Sequence, residues 1–329
     1  VRAAWLRIPW CDSTYTPVKV YSSDAAKFTQ VCVLGTHETG GVRYLDNGAV
    51  GPHHWDMLFI TRKNGSHVVW NDPTTKKAYI QAFDGKTPKV DMNLGTDWEV
   101  VTVQYNPATG EENLFIRSAD KRSAYRIPLK SDYTADLAKK TQVIASSWSG
   151  GNVDDAFSVS GDGKMAGGAF PWPNTKILDM ENRKAYERHA GTFGCNANIA
   201  PDNSYRFFHF FDSHDGLHMF AADLSTTWWD LSLTKNLPGN TYTGFIDGKL
   251  PRFTSNVQFL TFVYPGPSSG IGERGNFNLT STQVKALNPS LVGHVCLGKF
   301  SADFKSVEKW AMIAGGDVRN IEGTAGAMA

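Results

Sequence analysis

Short runs of strand-forming residues, broken by turn residues, fill most of the chain. The clearest spans residues 199–211. Ile199-Ala200 leads into Pro201-Asp202-Asn203-Ser204, and the aromatic-rich run Tyr205-Arg206-Phe207-Phe208-His209-Phe210-Phe211 follows. The middle part is a tight turn whose polar side chains bond their own backbone. The pattern recurs around Gly161-Asp162-Gly163 and around Lys63-Asn64-Gly65, with a looser copy at Asn106-Pro107-Ala108-Thr109-Gly110. Predicted strands cover 4–8, 18–21, 30–34, 55–61, 67–70, 78–83, 99–105, 113–117, 123–127 and 142–145. Further strands follow at 256–264, 292–300 and 307–313. Helix-like segments are few: 132–140 and, inside a loop, 282–287.

The strands gather into six units: 1–45, 52–90, 97–146, 153–190, 194–235 and 250–313, with a closing segment at 314–329. Repeated strand–turn units at this spacing predict an all-β chain folded as a single β-propeller domain, 1–329, of four-stranded antiparallel blades. Six blades are expected, with seven as the alternative. The run at 3–8 reads as the second strand of a blade whose first strand comes from the chain end, around 317–322. Such closure removes sheet edges that would otherwise pair with other chains. The sixth unit is interrupted by residues 265–291, rich in Gly, Pro, Ser and Asn. A loop of that length in a compact domain is usually functional or disordered.

Composition is that of a globular chain, with 41% hydrophobic and 20% charged residues and a formal net charge of +1. Nothing basic enough for nucleic acid stands out, and no apolar run is long enough for a membrane helix. The chain opens at Val1-Arg2-Ala3-Ala4-Trp5 without a charged-then-apolar leader, so any leader is expected to have been removed. Cys11, Cys32, Cys195 and Cys296 permit two disulfides in three connectivities, or four buried thiols. An extracytoplasmic location, secreted or periplasmic, is expected from the cysteine count and aromatic content.

The repeated units resemble the TolB-like, or PD40, β-propeller repeat: an inner strand, a Ser-Pro-Asp-Gly-like turn, then an apolar second strand. The copies here are Ser160-Gly161-Asp162-Gly163, Ala200-Pro201-Asp202-Asn203 and Arg62-Lys63-Asn64-Gly65, and none carries all four hallmark residues. The resemblance implies an orientation. Turns between first and second strands lie on a quiet face. Loops between second and third strands lie on the opposite face, with the connections between blades, and that face carries the site.

That face then receives several candidate residues. His214, between Asp212-Ser213 and Asp215, is a possible general base oriented by a carboxylate. His53 and His54 are alternatives, of which an extended segment points only one inward. Trp148 and Trp172 offer rings for stacking on sugars, and the flanking Pro171 and Pro173 stiffen the second. Arg252 and Arg274 are placed to grip a carboxylate or sulfate in bidentate fashion. Asp155 and His189 add polar contacts. Trp70-Asn71-Asp72-Pro73 reads as a turn. Tyr205 and Tyr264 sit in or beside strands. The chain holds no Gly-x-Ser-x-Gly elbow, P-loop or dinucleotide fingerprint. No cofactor is expected. A divalent metal on His209, His214 and His218 is chemically conceivable, but the spacing matches no helix-borne ligand pattern.

These residues point to binding of an extracellular, anionic polysaccharide, with possible cleavage by a lyase mechanism. There, His214, His53 or His54 would take the proton beside a uronate carboxylate held by an arginine. The alternative is a non-catalytic subunit that docks a protein partner through the 265–291 loop.

Overall fold

The computed structural model describes residues 2–7, 30–35, 43–44, 58–61, 63, 65–72, 75–153, 157–188, 194–210, 217–233, 249–264 and 294–314. Within them the chain is almost wholly antiparallel β-structure. A leading three-stranded sheet comprises β1 (Arg2–Arg7), β2 (Gln30–Gly35) and β3 (Arg43–Tyr44). Five four-stranded blades follow, each a meander in chain order. Blade one holds β4 (Leu58–Ile60), β5 (His67–Asp72), β6 (Lys77–Ala82) and β7 (Val90–Asp91). Blade two holds β8 (Trp98–Asn106), β9 (Glu111–Ser118), β10 (Ser123–Pro128) and β11 (Thr141–Ala145). Blade three holds β12 (Ser158–Val159), β13 (Met165–Ala169), β14 (Thr175–Asp179) and β15 (Lys184–Glu187). Blade four holds β16 (Cys195–Ile199), β17 (Phe207–Phe210), β18 (Leu217–Phe220) and β19 (Trp228–Leu231). Blade five holds β20 (Lys249–Phe253), β21 (Phe259–Tyr264), β22 (His294–Phe300) and β23 (Val307–Ala314).

The first strand of each sheet touches the first strand of the next: β1 meets β4, β4 meets β8, β8 meets β12, β12 meets β16, and β16 meets β20. Sheets stacked radially through their inner strands make a propeller. The blade count needs correction. The described residues form five complete blades, where six were expected. The expectation that residues 3–8 pair with the chain end as a second strand is not tested: they contribute to β1, which hydrogen-bonds to β2 from Arg2–Gly35 to Arg7–Gln30 on one side. The segment proposed for closure, 315–329, lies outside the described residues, as do 18–21 and 282–287.

The helix expected over 132–140 is also reduced. It is a single 3-10 turn, Leu137–Lys139, whose N-cap Asp136 makes no side-chain capping bond. Asp132 instead accepts from the Thr134 amide and hydroxyl, and Tyr133 takes a positive φ of 63°. Asp-x-Thr locally offers the backbone a turn in place of a helix.

The core lies between blades. Phe208, Phe210, Leu217 and Met219 of blade four pack with Phe253, Leu260, Phe262 and Phe300 of blade five, all buried. Phe115 of blade two meets Phe157 edge-on ahead of blade three, with ring centroids 6.3 Å apart. Cys296 is buried in the cluster between blades four and five. Aromatic strands suit this arrangement because each blade buries both faces, and large rings fill the wedge between twisted sheets.

Candidate functional site

The turns between first and second strands gather on one side and knit neighbouring blades. Gln104 of β8 donates to the Gly161 carbonyl at 2.7 Å, and its own Oε1 accepts from Asn113 at 3.0 Å. The Gly161 amide donates to the Asp202 carbonyl at 3.0 Å. Arg206 lies 3.9 Å over the Phe304 ring. Side chains so fully engaged with neighbouring blades make this the structural face, as the turn pattern implies.

The opposite face carries the loops between second and third strands. The loop 170–174 of blade three is its best-defined part. The Phe170 amide donates to the Asn174 carbonyl (2.9 Å), and the Asn174 amide to the Pro171 carbonyl (2.8 Å). The peptide bonds entering Pro171 and Pro173 are both cis. The loop is rooted at fully buried Phe170 and Thr175. It is braced from two sides. The Gly194 amide, ahead of blade four, donates to the Pro173 carbonyl at 3.2 Å. Gly151, ahead of blade three, sits so close that a Cβ there would strike Pro171. From this frame the Trp172 side chain stands 62% exposed, the most exposed large apolar side chain among the described residues.

Beneath the loop, the Lys176 ammonium donates to the Ser149 carbonyl at 3.1 Å and pairs with Glu187 at 3.3 Å. Trp148, expected beside Trp172 as a second exposed ring, behaves differently. It lies in the one-turn helix α1 (Ser146–Ser149) and is half-buried against the core between blades two and three. Arg252 is on β20, where its Nη1 donates to the Pro251 carbonyl at 3.1 Å and the Asn196 carbonyl at 3.5 Å. Part of its donor set therefore ties blade four to blade five. His53, His54, Asp155, His189, His214, Asp215 and Arg274 lie outside the described residues.

His209 and His218 lie in the seam between blades three and four. His209 Nδ1 is 2.6 Å from Thr175 Oγ1, and its Nε2 is 3.0 Å from His218 Nδ1. Both nitrogens of the His209 ring are thus engaged with protein groups, which opposes a metal role for it. Among the described residues no group of His, Cys, Asp or Glu is arranged to hold a metal ion.

Sequence reasoning also missed a set of polar clamps between blades. The Asn71 side chain brackets β8 by donating to the Val100 carbonyl (2.8 Å) and accepting from the Val100 amide (2.9 Å). Ser158 Oγ accepts from the Ile199 amide at 2.6 Å, and Asn198 Oδ1 from the Phe253 amide at 3.1 Å. The signal available was a small polar residue within an otherwise apolar strand. Asn71 instead looked like part of a turn because Asp72-Pro73 follows it.

No protein-family model matches the chain, and no curated protein matches it. Similar solved structures include a putative TolB from Agrobacterium tumefaciens, 12% identical over 82% of this chain and 85% of that one, with a TM-score of 0.47. A second is a nidogen/laminin complex, at 7% identity over 61% and 71%, with a TM-score of 0.43. A third is a structural genomics protein of unknown function from Bacteroides thetaiotaomicron, at 9% identity over 96% and 66%, with a TM-score of 0.42. At such identities a likeness concerns fold alone, and the propeller assignment here rests on the blades themselves. No described helix is long and apolar enough to cross a membrane.

Proposed function

We propose that this propeller binds an extracellular carbohydrate chain on the face of its second-to-third-strand loops, with Trp172 as the stacking platform. One observation carries the reading. A large aromatic ring is 62% exposed on a loop that is closed by its own backbone bonds and braced by both neighbouring connections. An exposed indole on a mobile loop would lose entropy on binding; a held one is preorganised. Its flat apolar face suits the CH-rich face of a sugar ring.

An anionic polysaccharide, and its cleavage by a lyase step, are the finer form of this proposal. They call for Arg274 or Arg252 at the carboxylate and His214, His53 or His54 as base. An extracytoplasmic location accords with such a ligand.

The test is binding to a panel of neutral and anionic polysaccharides by calorimetry, with absorbance followed near the unsaturated-uronate band. Binding that drops at least about tenfold in Trp172→Ala, about 1.4 kcal/mol, is expected. Absence of binding across the panel, or binding indifferent to Trp172→Ala, would overturn the reading. A rise in absorbance would establish the lyase step.

A further inference from the structure

The charged pair beneath the Trp172 loop is set at two depths. Lys176 follows the loop root, Thr175, on β14 and pairs in register with Glu187 on β15. The Arg188 amide, next in the chain, donates to the Thr175 carbonyl at 2.8 Å. Glu187 therefore stands at the loop end of its strand, one residue short of the rung that holds the root of the Trp172 loop. The Lys176 ammonium lies 3.3 Å from Glu187 Oε1 and donates to the Ser149 carbonyl at 3.1 Å. Only 9% of the Lys176 side chain is exposed, against 54% of Glu187. The cation is held inside, and the carboxylate reaches solvent.

Two adjacent glycines join this pair to the platform. A Cβ on Gly150 would lie 2.7 Å from Lys176 Nζ, and one on Gly151 would lie 2.4 Å from Pro171 Cδ. Their α-carbons are about 3.8 Å apart, as across any trans peptide. The ammonium and the loop that carries Trp172 thus touch neighbouring residues of one connection. Gly150 has a positive φ of 86°, which suits glycine, so the backbone between ammonium and platform stays bare of side chains.

The chemistry of the pair selects its ligand. A carboxylate only accepts hydrogen bonds, and it offers about four lone-pair sites, so it takes sugar hydroxyls as donors. The Lys176 charge is already matched by Glu187, and a ligand carboxylate brought there would meet like charge. A surface ion pair by itself adds little stability. This one has its cation anchored on a backbone carbonyl, which places the carboxylate beside the platform.

We infer that Glu187 is a specificity-determining residue of the Trp172 site, where its carboxylate accepts from hydroxyls of a neutral sugar chain. The inference rests on the carbohydrate reading and refines it. The sugar at this subsite is uncharged, and the carboxylates of an anionic chain are left to the arginines.

Calorimetry on the full chain tests this, with cellohexaose, mannohexaose and xylohexaose as neutral probes and hexagalacturonate as the charged one. Wild type is expected to bind at least one neutral hexaose more tightly than hexagalacturonate. Glu187→Gln removes the charge and keeps the shape. It should weaken that neutral hexaose at least about fivefold, the difference between a charged and a neutral acceptor. Hexagalacturonate should bind it as well as wild type or better, and its melting temperature should stay within about 2 °C. A general loss of fold would instead weaken both ligands. Trp172→Ala should weaken every probe that binds. Tighter binding of hexagalacturonate by wild type would overturn the inference. So would an unchanged neutral affinity in Glu187→Gln, or an equal loss of both ligands. If Trp172→Ala alone loses binding, the platform stands and the role of Glu187 falls. If neither variant changes binding, or no probe binds, both readings fall.

Discussion

The Tyr205 hydroxyl donates to Asp162 Oδ2 at 2.7 Å, joining the first turn of blade four to the first turn of blade three. Asp162 is prepared for this by its own turn, where Oδ1 accepts from the Ser160 hydroxyl at 2.6 Å and the Lys164 amide at 3.0 Å. Similar Ser-x-Asp hydroxyl–carboxylate bonds recur at Ser118–Asp120 (2.6 Å) and Ser301–Asp303 (2.7 Å). The carboxylate that makes a tight turn locally also provides a bridge between blades here. Local turn chemistry and ring assembly are thus coupled through one side chain.

Tyr205→Phe removes that bridge while keeping the ring. A loss of about 1.5–3 kcal/mol of stability is expected, as for a hydrogen bond to a charged group. Burial, and then the bond to Asp162, push the Tyr205 pKa from 10.0 up to about 12. The folded state therefore favours the protonated phenol. Its contribution is complete below the unfolded value of 10.0 and is lost as pH rises towards about 12. Alkaline unfolding monitored by circular dichroism should be steeper for wild type than for Tyr205→Phe. Parallel curves would show that the bridge contributes nothing.

Gly167 tests the packing of the same two blades. A Cβ there would lie 2.6 Å from Ile199 Cβ and 3.0 Å from the Phe207 ring. Neither neighbour is a flexible chain end. Gly167→Ala should therefore cost about 1–3 kcal/mol, the usual range for overpacking a filled core. Urea denaturation reads this directly, and a midpoint equal to wild type would show that the blades can part at no cost.

The blade pattern was legible because turn chemistry is local. Asp162-Gly163 and Pro201-Asp202-Asn203 announce their turns within a few residues, and the runs after them become β13, built of small residues and Met165, and the aromatic β17. The blade count was less legible. Membership of β1 in a leading sheet depends on its pairing with β2, more than twenty residues away, and no local residue encodes that choice. The exposure of Trp172 was legible because the flanking prolines that mark its loop are in the sequence. Trp148 was not, since its burial depends on how α1 meets the core between blades two and three. The His209–His218 contact is cross-strand, set by the pairing of β17 with β18 in direct register. Sequence reading considered both residues only as conceivable metal ligands, and the register shows that they touch.

The two tryptophans therefore diverge under mutation. Trp148→Ala should destabilise the fold by about 1–3 kcal/mol, because a half-buried indole leaves a gap in an apolar cluster. Trp172→Ala should leave stability within about 0.5 kcal/mol, as for an exposed site, while carrying the loss in ligand binding. Melting temperatures of the two variants measured side by side decide this. Equal losses would mean that Trp172 is a packing residue and the platform reading is wrong.

Asn71 offers the sharpest test of the polar clamps. Its amide satisfies both the Val100 carbonyl and the Val100 amide, at 2.8 and 2.9 Å, across the boundary between blades one and two. Val100 is buried, so water cannot readily replace either bond. Asn71→Ala should cost about 2–3 kcal/mol, since it strands a donor and an acceptor together. Asn71→Asp keeps the shape and the acceptor but turns a carboxylate oxygen towards the Val100 carbonyl. Near neutral pH it should be at least as damaging as the alanine variant. On acidification the protonated carboxyl regains a donor, and stability relative to wild type should recover. Chemical denaturation of both variants at about pH 7 and about pH 4, on either side of an ordinary carboxyl pKa for the aspartate variant, checks the sign. If Asn71→Asp showed no relative recovery at the lower pH, the two-bond clamp would not be what holds these blades together.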